Sequence, residues 1–372
     1  MTSRKLSILA LVAVIAVIAG LWLASRQTSP PSTESAALYP DLKSELASIN
    51  TLRIVKAGGQ PALEVKHGDN GWTVTERHNY PADEAKLRKL ITNLTEAKVL
   101  EEKTSNPESY QALGVKDVSD AAAGGVQIEL DGPKQPIKLI VGKQAEGAQS
   151  QYVRRAGEPK SWLINKSIDT SSSADQWLRK DVIDVSADRV QSAEVTLDKS
   201  KPYSAVKKTR ADADFTVEGL PKGKALSSPS AAATFATALA DLTLSDVKAA
   251  SEVTDPPNAR ATIKTFDGLV TEVTGWTKDD KHYVALKTTY DAALADKFKV
   301  ATADAEKKDA PTNTAEGAPT ADKPADEAAK PATRNVAEES TKANAQVDGW
   351  VFEIPAYKYE AIFKPLDELI KK

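Results

Sequence analysis

The 372-residue sequence predicts an α+β protein: an N-terminal transmembrane helix followed by two similar domains, each a mostly antiparallel sheet packed with a helix. Three observations carry that expectation. An uncharged run, Leu6 to Ala24, follows Arg4 and Lys5. Short stretches alternate apolar and polar residues between turn dipeptides, the period of half-buried strands. An amphipathic helical pattern recurs 148 positions further on, which reads as an internal duplication.

The N-terminal run comes first. As a helix, Leu6–Ala24 would span roughly 28 Å, close to the ~30 Å hydrocarbon core of a bilayer. A cleaved signal has a shorter apolar core of about 7–15 residues and a small-residue cleavage site. Here Trp22 and Leu23 fill the end and leave only a weak "LAS". Residues 1–25 are therefore read as an uncleaved anchor that contacts membrane lipid through Leu6 to Ala24. The basic residues on its short side place the N-terminus inside. The expected protein is single-pass in the cytoplasmic membrane, with its C-terminal bulk in the periplasm or outside. Residues 26–40 read as a flexible tether, semi-extended around Pro30-Pro31.

Two α+β repeats follow, over 41–186 and 187–372. Pro81, Leu87, Leu90, Ile91, Leu94 and Val99 match Pro229, Phe235, Ala238, Leu239, Leu242 and Val247 in character. Their spacing lays one apolar face along a helix. Leu52-Arg53-Ile54 pairs with Ala193-Glu194-Val195, and Val126–Leu130 with Ala261–Thr265. "QYVRR" at 151–155 pairs with "HYVAL" at 282–286, and "WLIN" at 162–165 with "WVFEI" at 350–354. Apolar helical stretches are expected after each of the last two, in "DQWLRKDVIDV" and "YEAIFKPLDELI". Asp69-Asn70-Gly71 and Asp267-Gly268 are hairpin turn signals. Within the second repeat a disordered insertion is expected at about 299–346. Its residues 301–335 hold no Val, Leu, Ile, Met or aromatic side chain, too little apolar surface to offset ordering.

"NYPAD", 79–83, raises the question of chemistry, because His78 precedes it and Glu84 follows. Its simplest reading is helix initiation. Pro81 would take the first helical position, and Asp83 and Glu84 would sit in the first turn against the helix dipole. "TSNPESYQALGV", 104–115, reads likewise: Asn106 caps, Pro107 opens, Glu108 faces the dipole and Gly114 ends the helix. Tyr80, Asp83, Asn106 and Tyr110 are the candidate partner surface.

"YPADEAKLRKLITNLTEAKVLEEKTSNPESYQALGV" resembles the bacterial family catalogued as domain of unknown function 4340. The anchor and the later "YVRRAGE…WLI" fit the resemblance, which covers about residues 70–180 and is faint in the second repeat. It carries over no catalytic residue. Genes of the family often lie beside those of ABC-type export permeases and gliding-motility-like auxiliary proteins. The resemblance thus implies a membrane-anchored, extracytoplasmic accessory role beside an export-type ABC transporter, with a permease or auxiliary subunits as partners.

Composition narrows the alternatives. A net charge of -3 offers no basic face for nucleic acid. The absence of cysteine removes disulfides, thiolate metal sites and a cysteine nucleophile. His67, His78 and His282 are the only histidines, and none is paired at metal-ligand spacing. No nucleophile elbow, phosphate-binding glycine loop or zinc-protease helix occurs. Trp72, Trp162, Trp276 and Trp350 read as core. The chain is accordingly read as a binding protein without enzymatic activity, cofactor or metal. The alternative is a periplasmic ligand-binding or enzymatic module acting on envelope components. Its site would lie in the interdomain cleft, with Asp83, Glu84 or Glu102 facing one another.

Overall fold

A computed structural model describes residues 35–146, 149–198, 200–306 and 334–371. The expected anchor, Leu6–Ala24, lies outside the described residues, as does most of the expected tether. Among the described residues no helix is long and apolar enough to cross a membrane.

The chain is mixed α and β, with large antiparallel sheets and several helices. Its first strands are β1 (Thr51–Lys56), β2 (Gln60–Gly68), β3 (Gly71–Val74), β4 (Tyr80–Pro81) and β5 (Val99–Thr104). Next come β6 (Val126–Asp131), β7 (Ile137–Gln144), β8 (Gln151–Arg155), β9 (Ser161–Ile164) and β10 (Asp181–Ile183). They are followed by β11 (Val190–Leu197), β12 (Tyr203–Val206), β13 (Thr216–Glu218), β14 (Leu242–Thr243) and β15 (Asp246–Ala249). The last are β16 (Ala259–Thr265), β17 (Leu269–Lys278), β18 (Lys281–Tyr290) and β19 (Trp350–Ile354). The longer helices are α1 (Glu84–Glu96), α2 (Ala292–Glu306), α3 (Val336–Val347) and α4 (Ala356–Ile362).

The chain divides into two compact units. The first comprises residues 1–68 and 85–172, the second 69–84 and 173–372. In the first unit the strands run in the order β2-β1-β6-β7-β8-β9-β5. In the second they run β13-β12-β11-β16-β17-β18-β19-β15. From β12 onward the second order repeats the first, strand for strand.

Pairing registers extend this equivalence. Leu52 faces Leu130 and Ile54 faces Ile128. In the second unit Ala193 faces Ile263 and Val195 faces Ala261. The register therefore equates Val126 with Ala259, two residues from the sequence match to Ala261. A two-residue slip keeps every side chain on its face, so alternation could not detect it. Along β7–β8 and β17–β18, Leu139 faces Arg155 and Val273 faces Leu286, which agrees with matching 151–155 to 282–286.

The first unit buries one face of each central strand: Leu52, Ile54, Leu63, Val65, Ile128 and Leu130 are all solvent-free. α1 adds Leu87, Leu90 and Leu94 at helical spacing, as the sequence predicts. Pro81, however, does not open α1. It lies in β4, where its carbonyl accepts from Arg179 N at 2.9 Å and Ala82 N donates to Trp72 O at 2.8 Å. Extended pairing therefore holds residues 80–82, and the helix begins only at Glu84. In the second unit Ser228 and Pro229 do begin a helical segment as expected. That segment stays a 3-10 turn, Pro229–Ala232, followed by one α turn, Thr234–Thr237. Lys358 Nζ binds the Thr237 and Ala240 carbonyls and so terminates it.

Three further expectations are corrected. "DQWLRKDVIDV" is not a helix: a short turn, Ala174–Trp177, gives way to β10, which pairs with β14. Its β-branched Val182 and Ile183 suit that extended pairing. The expected disordered span is helical at its described C-terminal part, α3, where Val336, Ser340 and Val347 are buried. Trp72, Trp162, Trp276 and Trp350 are only half-buried, and Trp177 is the fully enclosed tryptophan. His67 is exposed, although Leu63 and Val65 on the same alternation are buried.

Two glycines are required by close approach. At Gly132, φ is 113° and a Cβ would overlap the Ser48 carbonyl oxygen. At Gly275 in β17 a Cβ would lie 2.6 Å from the Phe363 ring. That bare position lets Phe363 and Tyr359 of the C-terminal helical region pack on the strand.

Candidate functional site

The "NYPAD" region is built around a tight turn. Thr75–Arg77 forms one 3-10 turn, and His78 and Asn79 follow with φ of 55° and 61°. Asn and His are among the residues that tolerate this left-handed region best. Asn79 N then donates to Val74 O at 3.1 Å, which closes the loop between β3 and β4. The turn sends Arg77 to Asp246, with Nε–Oδ1 at 2.6 Å and Nη2–Oδ2 at 2.9 Å. Chiefly through the hydrogen bond to Asp246, the Arg77 pKa is raised. His78 Nε2 lies 3.0 Å from Glu252, with both side chains about half exposed. The histidine's carboxylate partner is therefore Glu252.

Tyr80 and Asp83 belong to the second unit. Tyr80 is completely buried, with its ring edge-on to Trp350 at 5.0 Å and to Phe352 at 6.2 Å. Burial raises its pKa, and the Arg179 guanidinium beside the ring opposes that rise. Asp83 is half-buried just before α1, where its backbone N–H donates to Trp177 O at 2.7 Å.

Asn106 and Tyr110 belong to the first unit. Asn106 Oδ1 accepts from Glu108 N at 3.1 Å, Pro107 follows it, and Gly114 ends the segment at φ 73°. This is the capping sequence the residues predict. Tyr110 is buried, donates its hydroxyl to Pro159 O at 2.5 Å and carries the Arg154 guanidinium 4.5 Å above its ring. Arg154 in turn binds Val115 O, Glu158 O and the Asp117 carboxylate. The two tyrosines are core side chains, so of the four candidates only Asn106 and, in part, Asp83 reach the surface. Asn106→Ala should cost about 1 kcal/mol by loss of the cap. Urea denaturation checks this, and Asn106→Asp should restore most of the loss.

Sequence reasoning missed the main charged assembly of the second unit. Arg189, only 4% exposed, precedes β11 and grips two carboxylates. Its Nε lies 2.9 Å from Asp267 Oδ2, and its Nη1 lies 2.7 Å from Glu339 Oε1. Burial disfavours the Arg189 charge, but hydrogen bonds with Glu339 and Asp267 leave its pKa raised. Burial would likewise raise Asp267. Hydrogen bonds from Thr265 and Arg189 and the Arg189 charge outweigh it and hold the carboxyl below its ordinary value. The partners sit 78 and 150 residues away, so no local pattern signals them.

The assembly docks α3. β19 pairs with β18 only at His282–Val284, which leaves Thr288 beyond its reach. Asn344 of α3 supplies the missing partners: Oδ1 accepts from Thr288 N at 2.7 Å, and Nδ2 donates to Thr288 O at 2.6 Å. A side-chain amide thus stands in for a strand. Beside it lies a polar groove of about 500 Å³, lined in part by Asp184, Ser186, Arg189, Glu338, Glu339 and Lys342. Both signs of charge occur there, and Glu338 is already paired with Lys342. No group of three or more His, Cys, Asp or Glu suited to a metal occurs among the described residues.

No curated protein and no solved structure matches the chain. A family model, that of a domain of unknown function (DUF4340), matches residues 72–262, from the start of β3 into β16. The match takes in the "NYPAD" turn, the capped segment after Asn106 and Arg189, and it covers just over half of the sequence; the chain belongs to the DUF4340 family.

Proposed function

We propose that the protein is a membrane-anchored, extracytoplasmic accessory or binding protein that works beside an export-type ABC transporter. In this reading Leu6–Ala24 is the single span, and a permease or its auxiliary subunits are the partners. The two units are copies of one duplicated α+β domain, as their shared strand order suggests. A lone span forms no transport path of its own, so the contribution would come from the two outward units.

One observation carries the binding reading over a catalytic one. The histidine of the "NYPAD" region is tied up at the surface: His78 Nε2 lies 3.0 Å from Glu252, with both side chains about half exposed and not held in a cleft. General acid–base catalysis needs a carboxyl or imidazole held at a tuned pKa in a cleft. Glu102, a candidate for the alternative envelope-acting module, is paired with Lys160 at 2.9 Å, with both side chains about half exposed.

Crosslinking in native membranes, followed by purification of the chain, should recover permease subunits. Recovery of the chain alone would overturn the association. The anchor has its own check: alkaline carbonate should leave the full chain in the membrane fraction and release a variant lacking residues 1–25.

A further inference from the structure

The second unit holds a separate cleft that no role has yet been given. It encloses about 380 Å³, within the roughly 300–1,000 Å³ of small-molecule pockets. Its wall is aromatic. Phe266 and Phe298 are both buried and meet edge to face at 4.9 Å, and Tyr290, 38% exposed, stands at the rim. Its other side is cationic, with Arg210, Lys299 and Arg334 among the lining residues.

The charge balance decides what such a cleft can hold. Asp267 also lines it, but that carboxylate is bound to Arg189. Lys299 has Asp296 at 3.1 Å on its own helix, out in solvent. Arg334 is 3.9 Å from Glu339, whose shorter bond, 2.7 Å, is to Arg189. Arg210 makes no ion pair among the described residues, and its guanidinium sits 5.2 Å from the Phe266 ring centre. The cleft therefore combines aromatic surface with surplus positive charge. Amines would be repelled, and a bare inorganic anion would leave Tyr290 and the apolar lining uncovered. An uncharged arene would leave the guanidinium groups without a partner.

The geometry points to a binding site for a small aromatic anion, an arene carboxylate or sulfonate. Its ring would lie against Tyr290 and the edge of Phe298, and its acid group between Arg210 and Arg334. Planar guanidinium groups pair with carboxylate and sulfonate oxygens and stack on rings, which suits both halves of such a ligand. This inference is independent of the transporter association.

Calorimetric titration of the full chain in lipid nanodiscs tests it, with naphthalene-1-sulfonate as the probe. One saturable site is expected. The double variant Arg210→Gln/Arg334→Gln should weaken it at least tenfold with an unchanged urea midpoint, since both side chains are exposed. Arg210→Lys, which keeps the charge, should retain most of the affinity. Sodium sulfate, 1-naphthol and octanoate should each bind at least tenfold more weakly. Absence of a saturable site, or equal affinity in the double variant, overturns the site. Equal binding of 1-naphthol overturns the requirement for an anion, and equal binding of octanoate overturns the aromatic assignment.

Discussion

Arg189→Met should destabilise the second unit by about 3 kcal/mol. Removing one partner of a buried ion pair strands the other charges, and such deletions cost about 3–5 kcal/mol. The lower end applies because Asp267 and Glu339 keep 24% and 28% of their side-chain surface in water. Urea denaturation of the full chain reads the loss. Hydrogen exchange should show it concentrated in α3, because Glu339 is the helix's ionic tie to the rest of the unit. A triple variant, Arg189→Met with Asp267→Asn and Glu339→Gln, should recover part of the stability, since no carboxylate is then left unpaired. If the single variant is as stable as the parent, Arg189 does not dock α3.

The same assembly sets a pH dependence. Asp267 is held below its ordinary pKa in the folded chain. Its contribution is therefore fully present above the unfolded value, about 3.9, and is lost as pH falls through the lower folded value. The stability gap between the parent and Arg189→Met should be widest near neutrality and should narrow below about pH 4. A gap independent of pH would mean that packing, and not charge, holds α3.

Trp177→Ala is the second large effect. Trp177 is the largest of the fully buried side chains, and its carbonyl accepts from Asp83 N where residues 81–83 run beside 177–179. Ala82 and Leu178 form an antiparallel bridge there. Truncation removes the ring and leaves a cavity that this paired backbone cannot collapse to fill. The expected loss is about 3–5 kcal/mol. Trp177→Phe keeps part of the volume and should lose roughly 1–2 kcal/mol. Trp276→Ala, in a half-buried strand position, should lose less than Trp177→Ala, the reverse of the order expected from the strand tryptophans. Urea midpoints of the three variants decide the order.

How far the fold was legible depended on the range of each signal. The capped turn at Asn106-Pro107 and the Asp267-Gly268 hairpin were readable because a few adjacent residues specify them. α1 was readable because Leu87, Leu90 and Leu94 keep a helical period over its length. "NYPAD" misled because Pro81 is compatible with both a helix start and a strand end. Pairing with β3 on one side and with Arg179, almost a hundred residues later, on the other chooses between them. The candidate surface failed at Tyr80 and Tyr110 for a related reason: an aromatic ring with a polar tip suits either a surface or a core.

By itself the sequence determined the mixed α and β class, the amphipathic helix, the caps and turns, and the membership signalled by the region after Tyr80. These rest on periodicity and short-range backbone preference, which act within a few residues. Tertiary structure alone decided the pairing registers, the strand at 181–183, the Arg189 assembly and the aromatic cleft with its cations. Each of these joins residues far apart in the chain, and burial and charge have no partner to act on until the fold brings one within reach.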